Sequence, residues 1–210
     1  MTAVKRITVL FLCAACFLLT SCGLMEEVPV FESKPAHNSI GPKALTKKEK
    51  ELIGLLSGTD QEIYLFSYKA DKEYRRIDFW VEIYKDGVLI DPHAGGFGMV
   101  PEETEAEHTG TLAIFISHTP DYRWRFSLEG MSSASEPNAN YISGGRGFAQ
   151  MFQPVEIEPD KEIVLYQSVF SDGPIAVFDE QEFVEHPERL SPYPYAHLIK
   201  CKFSKSAEEP

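Results

Sequence analysis

Hydrophobic and polar residues alternate along most of this chain, and the pattern predicts strands rather than helices. The clearest strand covers residues 77–84, where Ile77, Phe79, Val81 and Ile83 take every second position. A period of two is typical of a strand that buries one face. Similar runs cover residues 63–68, 88–90, 111–117, 122–128, 147–152, 163–166, 175–178 and 195–203. The sequence therefore predicts about eight or nine short strands.

One short helix is predicted ahead of these strands. Thr46 and Glu49 have the spacing of a capping box, in which the hydroxyl and the carboxylate each accept a hydrogen bond from a free backbone N–H. The helix should end at Gly58. Its apolar face is formed by Leu52, Ile53, Leu55 and Leu56. Because a helix this short is marginal on its own, we expect that face to pack on the sheet that follows.

Turn-forming residues separate the predicted strands, and no segment between them is a helix long enough to connect parallel strands. The pair Asp86-Gly87, for example, suits the positive φ angles of a tight hairpin turn. These features predict an all-β fold, an antiparallel β-sandwich of the immunoglobulin-like kind with one short N-terminal helix. The long polar segments 91–110 and 130–145 are expected to be loops, and loops of this length often carry function.

The N-terminus has the features of an export signal. Lys5 and Arg6 precede an apolar run over residues 7–19, which is 13 residues long. A membrane-spanning helix needs about 20 apolar residues, so this run fits a signal peptide better than an anchor. The next residues, Leu19-Thr20-Ser21-Cys22, resemble the lipobox of bacterial lipoproteins. The resemblance implies attachment of a diacylglyceryl group to the Cys22 sulfur and cleavage just before Cys22.

Four segments follow from this interpretation. Residues 1–21 form the lipoprotein signal peptide, residues 22–45 the lipidated cysteine and a flexible tether, residues 46–204 the sandwich and residues 205–210 a disordered tail. We expect the mature chain on the extracytoplasmic face of a bacterial cell membrane, held there by its lipid. Stable attachment of this kind takes two or more acyl chains.

Charge limits the partners of the chain. Acidic residues outnumber basic ones 32 to 20, and the formal charge is −12. Removal of residues 1–21 takes away Lys5 and Arg6, which changes the charge of the mature chain to −14. A surface this acidic argues against a nucleic-acid partner. It also argues against electrostatic attachment to anionic lipid headgroups, so the lipid, and not a basic patch, is expected to supply membrane attachment.

The cysteines divide into three groups. Cys13 and Cys16 are lost with the signal peptide, and Cys22 carries the lipid. Cys201 shares the alternation of Ile199 and Phe203, so it is expected to be a buried structural thiol.

No sequence motif of a known catalytic site stands out, and we assign no catalytic residue, cofactor site or metal site. His93, His108 and His118, with Asp91, lie within one stretch of the chain and could meet across strands as zinc ligands. The acidic run 102–107 lacks the glycine turn of a calcium loop and is interpreted as solvated loop. The glycine-rich stretches 95–98 and 144–147 have the wrong spacing for phosphate binding, and each is expected to be a flexible loop that enters a strand.

Aromatic residues supply the last candidates. Trp80 and Tyr84 have the opposite parity to Phe79, so they belong to the other face of their strand or lie under the helix. Tyr193 and Tyr195 form a stiff segment with neighbouring prolines. The leading hypothesis is a non-enzymatic binding or accessory module whose partner is an unknown envelope protein or glycan. Two alternatives are a carbohydrate-binding lipoprotein that uses exposed aromatic residues and a metal-dependent envelope hydrolase.

Overall fold

A computed structural model of the chain describes residues 37–58, 60–101, 107–118, 122–135, 145–175, 183 and 186–207. Twelve strands and one α-helix lie within these residues. The elements in chain order are β1 (Ser39–Pro42), α1 (Lys47–Ser57), β2 (Gln61–Asp71), β3 (Arg76–Lys85), β4 (Val88–Asp91), β5 (Gly96–Met99), β6 (Glu107–Ser117), β7 (Arg123–Leu128), β8 (Met131–Ala134), β9 (Gly145–Gln150), β10 (Val155–Glu156), β11 (Glu162–Ser171) and β12 (Tyr195–Ser204). A short 3-10 helix covers Pro187–Leu190.

The strands form two antiparallel sheets, so the predicted all-β sandwich with one short helix is confirmed. Sheet 1 has the order β10-β1-β2-β6-β7-β8. Sheet 2 has the order β4-β3-β12-β11-β9, and β5 also pairs with β3. Every strand pair is antiparallel, as expected for a chain whose strands are joined by turns and loops.

The alternating pattern explains how the two sheets meet. Residues opposite each other in an antiparallel pair point to the same side of the sheet. In sheet 2, Phe79 pairs with Cys201 and Val81 pairs with Ile199, and all four side chains are buried in the core. Sheet 1 supplies the facing layer, which includes Phe66, Leu112, Ile114, Trp124 and Phe126. The two inner faces together form one core between the sheets.

The sandwich begins earlier than the sequence predicts. β1 lies inside the segment 22–45 that is predicted to be a flexible tether, yet it pairs with β2 on one side and β10 on the other. Ile40 is fully buried in the core. The segment is short and contains a glycine and a proline, so its own pattern gives little indication of a strand. The expectation of a tether therefore fails for residues 39–42.

The helix forms as predicted but packs differently. Thr46 accepts a hydrogen bond from the Glu49 N–H at 3.3 Å, and Glu49 accepts one from the Thr46 N–H at 2.8 Å, so the capping box is confirmed. Gly58, with φ 57°, follows the helix as expected. No residue of α1 is buried, however, and its leucines are exposed. The expectation that the leucine face packs on the sheet is wrong.

The segments predicted as long loops contain further strands. The segment 91–110 includes β5 and the first residues of β6, and the segment 130–145 includes β8. The hairpin at Asp86-Gly87 is confirmed, with φ angles of 49° and 77° at its two central residues. The strand predicted at 175–178 falls almost entirely outside the described residues. Among the helices within the described residues, none has the length and apolar character needed to cross a membrane.

Candidate functional site

The outer face of sheet 2 carries two different surfaces. The register of β3 with β12 places Asp78, Trp80, Glu82 and Tyr84 on this face, opposite Lys202, Lys200, Leu198 and Ala196. One half is covered by a second apolar cluster. Its members are Tyr84, Val169, Phe183, Leu190, Tyr193, Ala196 and Leu198. The other half is polar and is bordered by the turn between β4 and β5, which contributes Pro92, His93 and Gly95.

This polar half forms a concave site, which we call the sheet-face pocket. It has a volume of about 600 Å³. It is lined by Arg76, Asp78, Phe79, Trp80, Glu82, Pro92, His93, Gly95, Gly96, Phe97, Gly98, Glu162 and Lys202. A cleft of this size with a few convergent polar groups is the usual form of a small-ligand site. The fold therefore provides a candidate binding site on a rigid sheet face.

A buried ion-pair cluster lies at the base of the pocket on this face of the sheet. The Lys200 ammonium lies 2.8 Å from carboxylate oxygens of both Glu82 and Glu162. Glu82 also accepts hydrogen bonds from Trp80 Nε1 at 3.2 Å and from the Tyr84 hydroxyl at 2.7 Å. Burial, and then the hydrogen bond to Glu82, raises the pKa of Tyr84 above its usual value. Only 6% of Glu82 and 4% of Lys200 is exposed, so these charges are held in fixed positions.

Charges nearer the opening are paired in the same way. Arg76 Nε donates to both carboxylate oxygens of Asp78, at 2.8 and 2.9 Å. Lys202 also lines the pocket, but it has no ion-pair partner among the described residues. Lys202 is therefore the cation best placed to meet an anionic group of a ligand.

The glycine-rich stretch 95–98, which is predicted to be a loop that enters a strand, forms one wall of the pocket. Its residues belong to β5 and the turn before it, and β5 pairs with β3 along Ile77–Trp80. Gly96 has φ 146°, and a Cβ there would lie 2.7 Å from Trp80 Cα. The Ser133 hydroxyl donates to the Gly96 carbonyl at 2.9 Å, which ties the wall to sheet 1. The glycines are thus required by a close backbone approach.

A second polar group lies between the sheets and is centred on Glu62 of β2. Its carboxylate pairs with Arg146 of β9 and lies 3.3 Å from His118 Nε2. The hydroxyls of Tyr64, at 2.7 Å, and Tyr166, at 3.5 Å, also point to it. Arg146 further stacks on Phe148, with 4.9 Å from the guanidinium carbon to the ring centroid. This inter-sheet cluster links the start of β2 in sheet 1 to β9 and β11 in sheet 2.

The surroundings of Glu62 favour its charged form. Burial opposes ionisation, but hydrogen bonds from His118, Tyr64 and Arg146 outweigh burial and lower the pKa of Glu62 to about 2. Burial and the hydrogen bond to Glu62 raise the pKa of Tyr64. The tyrosine therefore stays a neutral donor and the glutamate an anion over the physiological range. Such an arrangement joins the two sheets electrostatically.

Glu62→Gln is expected to reduce the pH dependence of stability. A carboxyl with a lowered folded-state pKa stabilises the fold fully above the unfolded pKa near 4.5, and this contribution is lost as the pH falls towards 2. Because Glu62 is only partly buried, we expect a contribution of about 1–2 kcal/mol at pH 7. Denaturant unfolding at pH 7 and pH 2.5 measures the difference between the variant and the wild type, which should shrink at the lower pH. The exposed Glu51 is a control, and Glu51→Gln should change the free energy of unfolding by less than about 0.5 kcal/mol at either pH. An equal effect of both substitutions would contradict the role of Glu62.

His197 is a buried histidine of the core, and no sequence motif points to it. Its ring lies between those of Tyr122, Trp124 and Phe170, at centroid distances of 5.0, 5.0 and 5.1 Å. Burial, with a smaller effect of Arg146, lowers the pKa of His197 to about 3, so the imidazole is neutral. It fills the core as an aromatic ring. The alternation over residues 195–203 already places it on the inner face with Ile199.

The histidines of the metal hypothesis do not meet. His93 lies in the turn between β4 and β5, 6.4 Å from the Trp80 ring, and its N–H donates to Asp91. His108 lies near the start of β6, whereas His118 follows the end of that 11-residue strand. Within the described part of the chain, no group of three His, Cys, Asp or Glu side chains is placed to hold a metal ion. The convergence required for a zinc site is therefore not seen.

The aromatic candidates are mostly covered. Trp124 and Tyr193 are buried, and Trp80 is 8% exposed. Trp80 and Tyr84 do lie on the outer face of sheet 2, as one of the two alternatives predicts, and not under α1. Tyr193 packs in the second apolar cluster, and Tyr195 is partly buried beside Lys85. These side chains do not form an exposed stacking platform.

The remaining sequence candidates divide between described and undescribed residues. Cys201 is fully buried, as predicted, and burial raises the pKa of its thiol. Cys22 and the predicted signal peptide, residues 1–21, lie outside the described residues. Most of the acidic run 102–107 lies outside them as well, and Glu107 pairs with Lys69 at 2.9 Å. Of the stretch 144–147, residues 145–147 are described and lie in β9, as expected for a loop that enters a strand, and Arg146 belongs to the inter-sheet cluster.

The two sheets and the sheet-face pocket define a β-sandwich domain with a polar, concave pocket on one outer face. Residues 39–203 match the family model of the YgaN domain, from the start of β1 almost to the end of β12. The chain therefore belongs to the YgaN domain family. Neither the curated proteins nor the solved structures contain a match to it.

Proposed function

We propose that this chain is a lipid-anchored protein of the bacterial cell envelope. In this proposal its sandwich domain is a non-enzymatic binding module, and the ligand occupies the sheet-face pocket. The export features of residues 1–21 and the resemblance of residues 19–22 to a lipobox support the anchor. The observation that carries the binding role is the pocket of about 600 Å³ with its fixed charges.

The arrangement of the charges favours binding over catalysis. Asp78 and Glu82 are each held by a cation, Arg76 and Lys200 respectively. A general base has to be free to accept a proton from the substrate, whereas a carboxylate already paired with a cation serves to orient and support. Paired charges on a rigid sheet provide a preorganised surface for a polar ligand.

Lys202 indicates the chemistry of the ligand. As the lining cation without an ion-pair partner in the described residues, it is suited to a carboxylate or phosphate group. The ligand that fits is a small polar molecule with one anionic group. Glycan binding through exposed aromatic residues has less support, because Trp80, Trp124 and Tyr193 are buried. A metal-dependent hydrolase also has less support, because its three histidines lie apart.

Trp80 provides a direct test of the pocket. The chain has two tryptophans, so Trp124→Phe leaves Trp80 as the only one. We expect an anionic probe such as N-acetylmuramic acid, alanyl-alanine or inorganic phosphate to shift or quench Trp80 emission. Lys202→Gln in the same background should weaken that binding about tenfold, as expected for loss of a charge-assisted contact.

Lys205→Gln is the matched control, because Lys205 follows the same strand but pairs with Glu73 away from the pocket. It should leave the binding unchanged. The pocket assignment is wrong if no probe changes the Trp80 emission, or if the probes bind equally well to the Lys202→Gln variant. Chemical turnover of a bound probe would contradict the non-enzymatic role.

A further inference from the structure

Helix α1 presents an apolar face to solvent. Leu52, Leu55 and Leu56 are 55%, 82% and 62% exposed, and no residue of the helix is buried. With Lys48 they follow the i, i+4, i+7 and i+8 spacing of one helix face. Transfer of such a face from water into an apolar phase lowers the free energy. The sandwich itself does not cover it.

The charge of the helix differs from that of the chain. Lys47, Lys48 and Lys50 lie in its first turns, and none of them has an ion-pair partner among the described residues. Of the two acidic residues, Glu49 is engaged by Lys43 at 3.5 Å and by the Thr46 cap, which leaves Glu51. A chain with a formal charge of −12 thus carries a locally basic helix. Leucines on one side and lysines beside them are typical of helices that lie in a membrane interface.

The position of α1 places it close to a membrane. It begins 25 positions after Cys22, the residue that carries the lipid in the function proposed above. Ser39, the first residue of β1, lies 17 positions after Cys22. Even when fully extended, a segment of that length reaches only about 60 Å, so the sandwich and α1 stay within that distance of the attachment point. Attachment at Cys22 therefore raises the effective concentration of α1 at the membrane.

We propose that α1 lies flat on the membrane surface beside the lipid anchor. Leu52, Leu55 and Leu56 enter the boundary between headgroups and acyl chains, and the lysines meet the phosphate groups of anionic lipids. The rest of the acidic domain is repelled by the same lipids and faces away. The helix thereby fixes the orientation of the domain relative to the membrane. The inference rests on the anchor of the proposed function.

Amide hydrogen exchange tests this contact on a chain whose Cys22 is coupled chemically to a lipid, so the test does not depend on acylation in the cell. The core of the sandwich lies between residues 40 and 203, so a chain of residues 22–210 retains the whole fold. The Cys22 thiol can be coupled to a maleimide lipid in vesicles of phosphatidylethanolamine and phosphatidylglycerol at 7:3, about the anionic content needed to attract lysines. Cys201 is fully buried and does not compete for coupling. Amide exchange in α1 should slow about tenfold on coupling, since membrane contact stabilises the helix against local opening.

Matched variants separate this contact from other effects. Leu52→Ser with Leu55→Ser and Leu56→Ser should abolish the slowing, and these substitutions spare the fold because the side chains are exposed. Val88→Ser with Leu89→Ser removes exposed apolar side chains of β4 and should leave the slowing intact. Lys47→Gln with Lys48→Gln and Lys50→Gln should reduce it, as should replacing phosphatidylglycerol by phosphatidylcholine.

Three results would overturn the inference. The first is equal α1 exchange in coupled and free chains, and the second is undiminished slowing in the leucine variant. The third is slowing that rises with protein concentration in the absence of vesicles, which would assign the leucine face to a second copy of the chain. Acyl labelling of the full chain, with Cys22→Ser as the unlabelled control, tests the anchor separately. If the full chain is not acylated but α1 is still protected in the coupled chain, the proposed anchor is wrong and the helix contact still stands.

Discussion

Lys200→Met is expected to lower the free energy of unfolding by about 3–5 kcal/mol, because it removes one partner of a buried ion pair. Methionine fills a similar volume, but it leaves the Glu82 carboxylate without its cation at a site that is 6% exposed. Trp80 and Tyr84 still donate to Glu82, which places the loss towards the lower end of the range. Thermal unfolding should show a midpoint roughly 6–15 °C lower than that of the wild type.

Two further variants distinguish a buried charge from a general packing effect. Glu82→Gln combined with Lys200→Met should recover about half of the lost stability, because the amide keeps an acceptor for Trp80 and carries no charge. Lys69→Met removes a cation from the partly exposed pair with Glu107 and should change stability by less than about 1 kcal/mol. An effect of Lys200→Met as small as that of Lys69→Met would mean that water reaches the pair and that the cluster does not support the pocket.

The long strands could be predicted because each carries its own pattern. Every second residue of 77–84 is apolar, and the corresponding side chains of β3 do face the core. The capping box and the Asp86-Gly87 hairpin are local as well, since each depends on residues within a few positions. β1, β5 and β8 could not be predicted in this way. Each has four residues and is a strand because a longer neighbour pairs with it.

The sheet-face pocket depends on pairings that the local pattern does not contain. Parity indicates that Trp80 faces away from Phe79, and the structure agrees. It does not indicate that Lys200, 120 positions later, is the residue opposite Trp80. The same holds for Glu62 and Arg146, which meet only because β2 and β9 lie in facing sheets. Motif spacing does not reveal charged residues that strand pairing brings together, because their separation along the sequence depends on the order of the strands in the fold.

The amphipathic pattern of α1 shows a different limit. Apolar residues at helical spacing indicate that a face seeks an apolar partner. They do not identify the partner, and the sandwich was the expected one. The exposed leucines together with the unpaired lysines favour a membrane interface over a protein core. The exposure of the leucine face, which the sequence-based expectation did not foresee, is the observation behind the proposed membrane contact.

Gly96→Ala is expected to destabilise the fold by about 2–4 kcal/mol and to open the pocket. The φ angle of 146° is strained for any residue with a Cβ, and the new atom would meet Trp80 Cα and the Phe79 carbonyl. β5 would have to move away from β3, and with it the wall of the sheet-face pocket. Denaturant unfolding measures the loss of stability. In the Trp124→Phe background, a shift of Trp80 emission to longer wavelength reports the entry of water.

Gly54→Ala makes the same chemical change where the structure has room for it. A Cβ at Gly54 meets nothing within 4 Å, and the residue lies inside α1. Alanine should therefore stabilise the helix by about 0.5–1 kcal/mol and leave Trp80 emission unchanged. The two substitutions should change the free energy of unfolding in opposite directions. This difference distinguishes a steric requirement at Gly96 from a general effect of replacing glycine. If Gly96→Ala were as well tolerated as Gly54→Ala, β5 would not be held against β3, and the proposed binding pocket would lack a fixed wall.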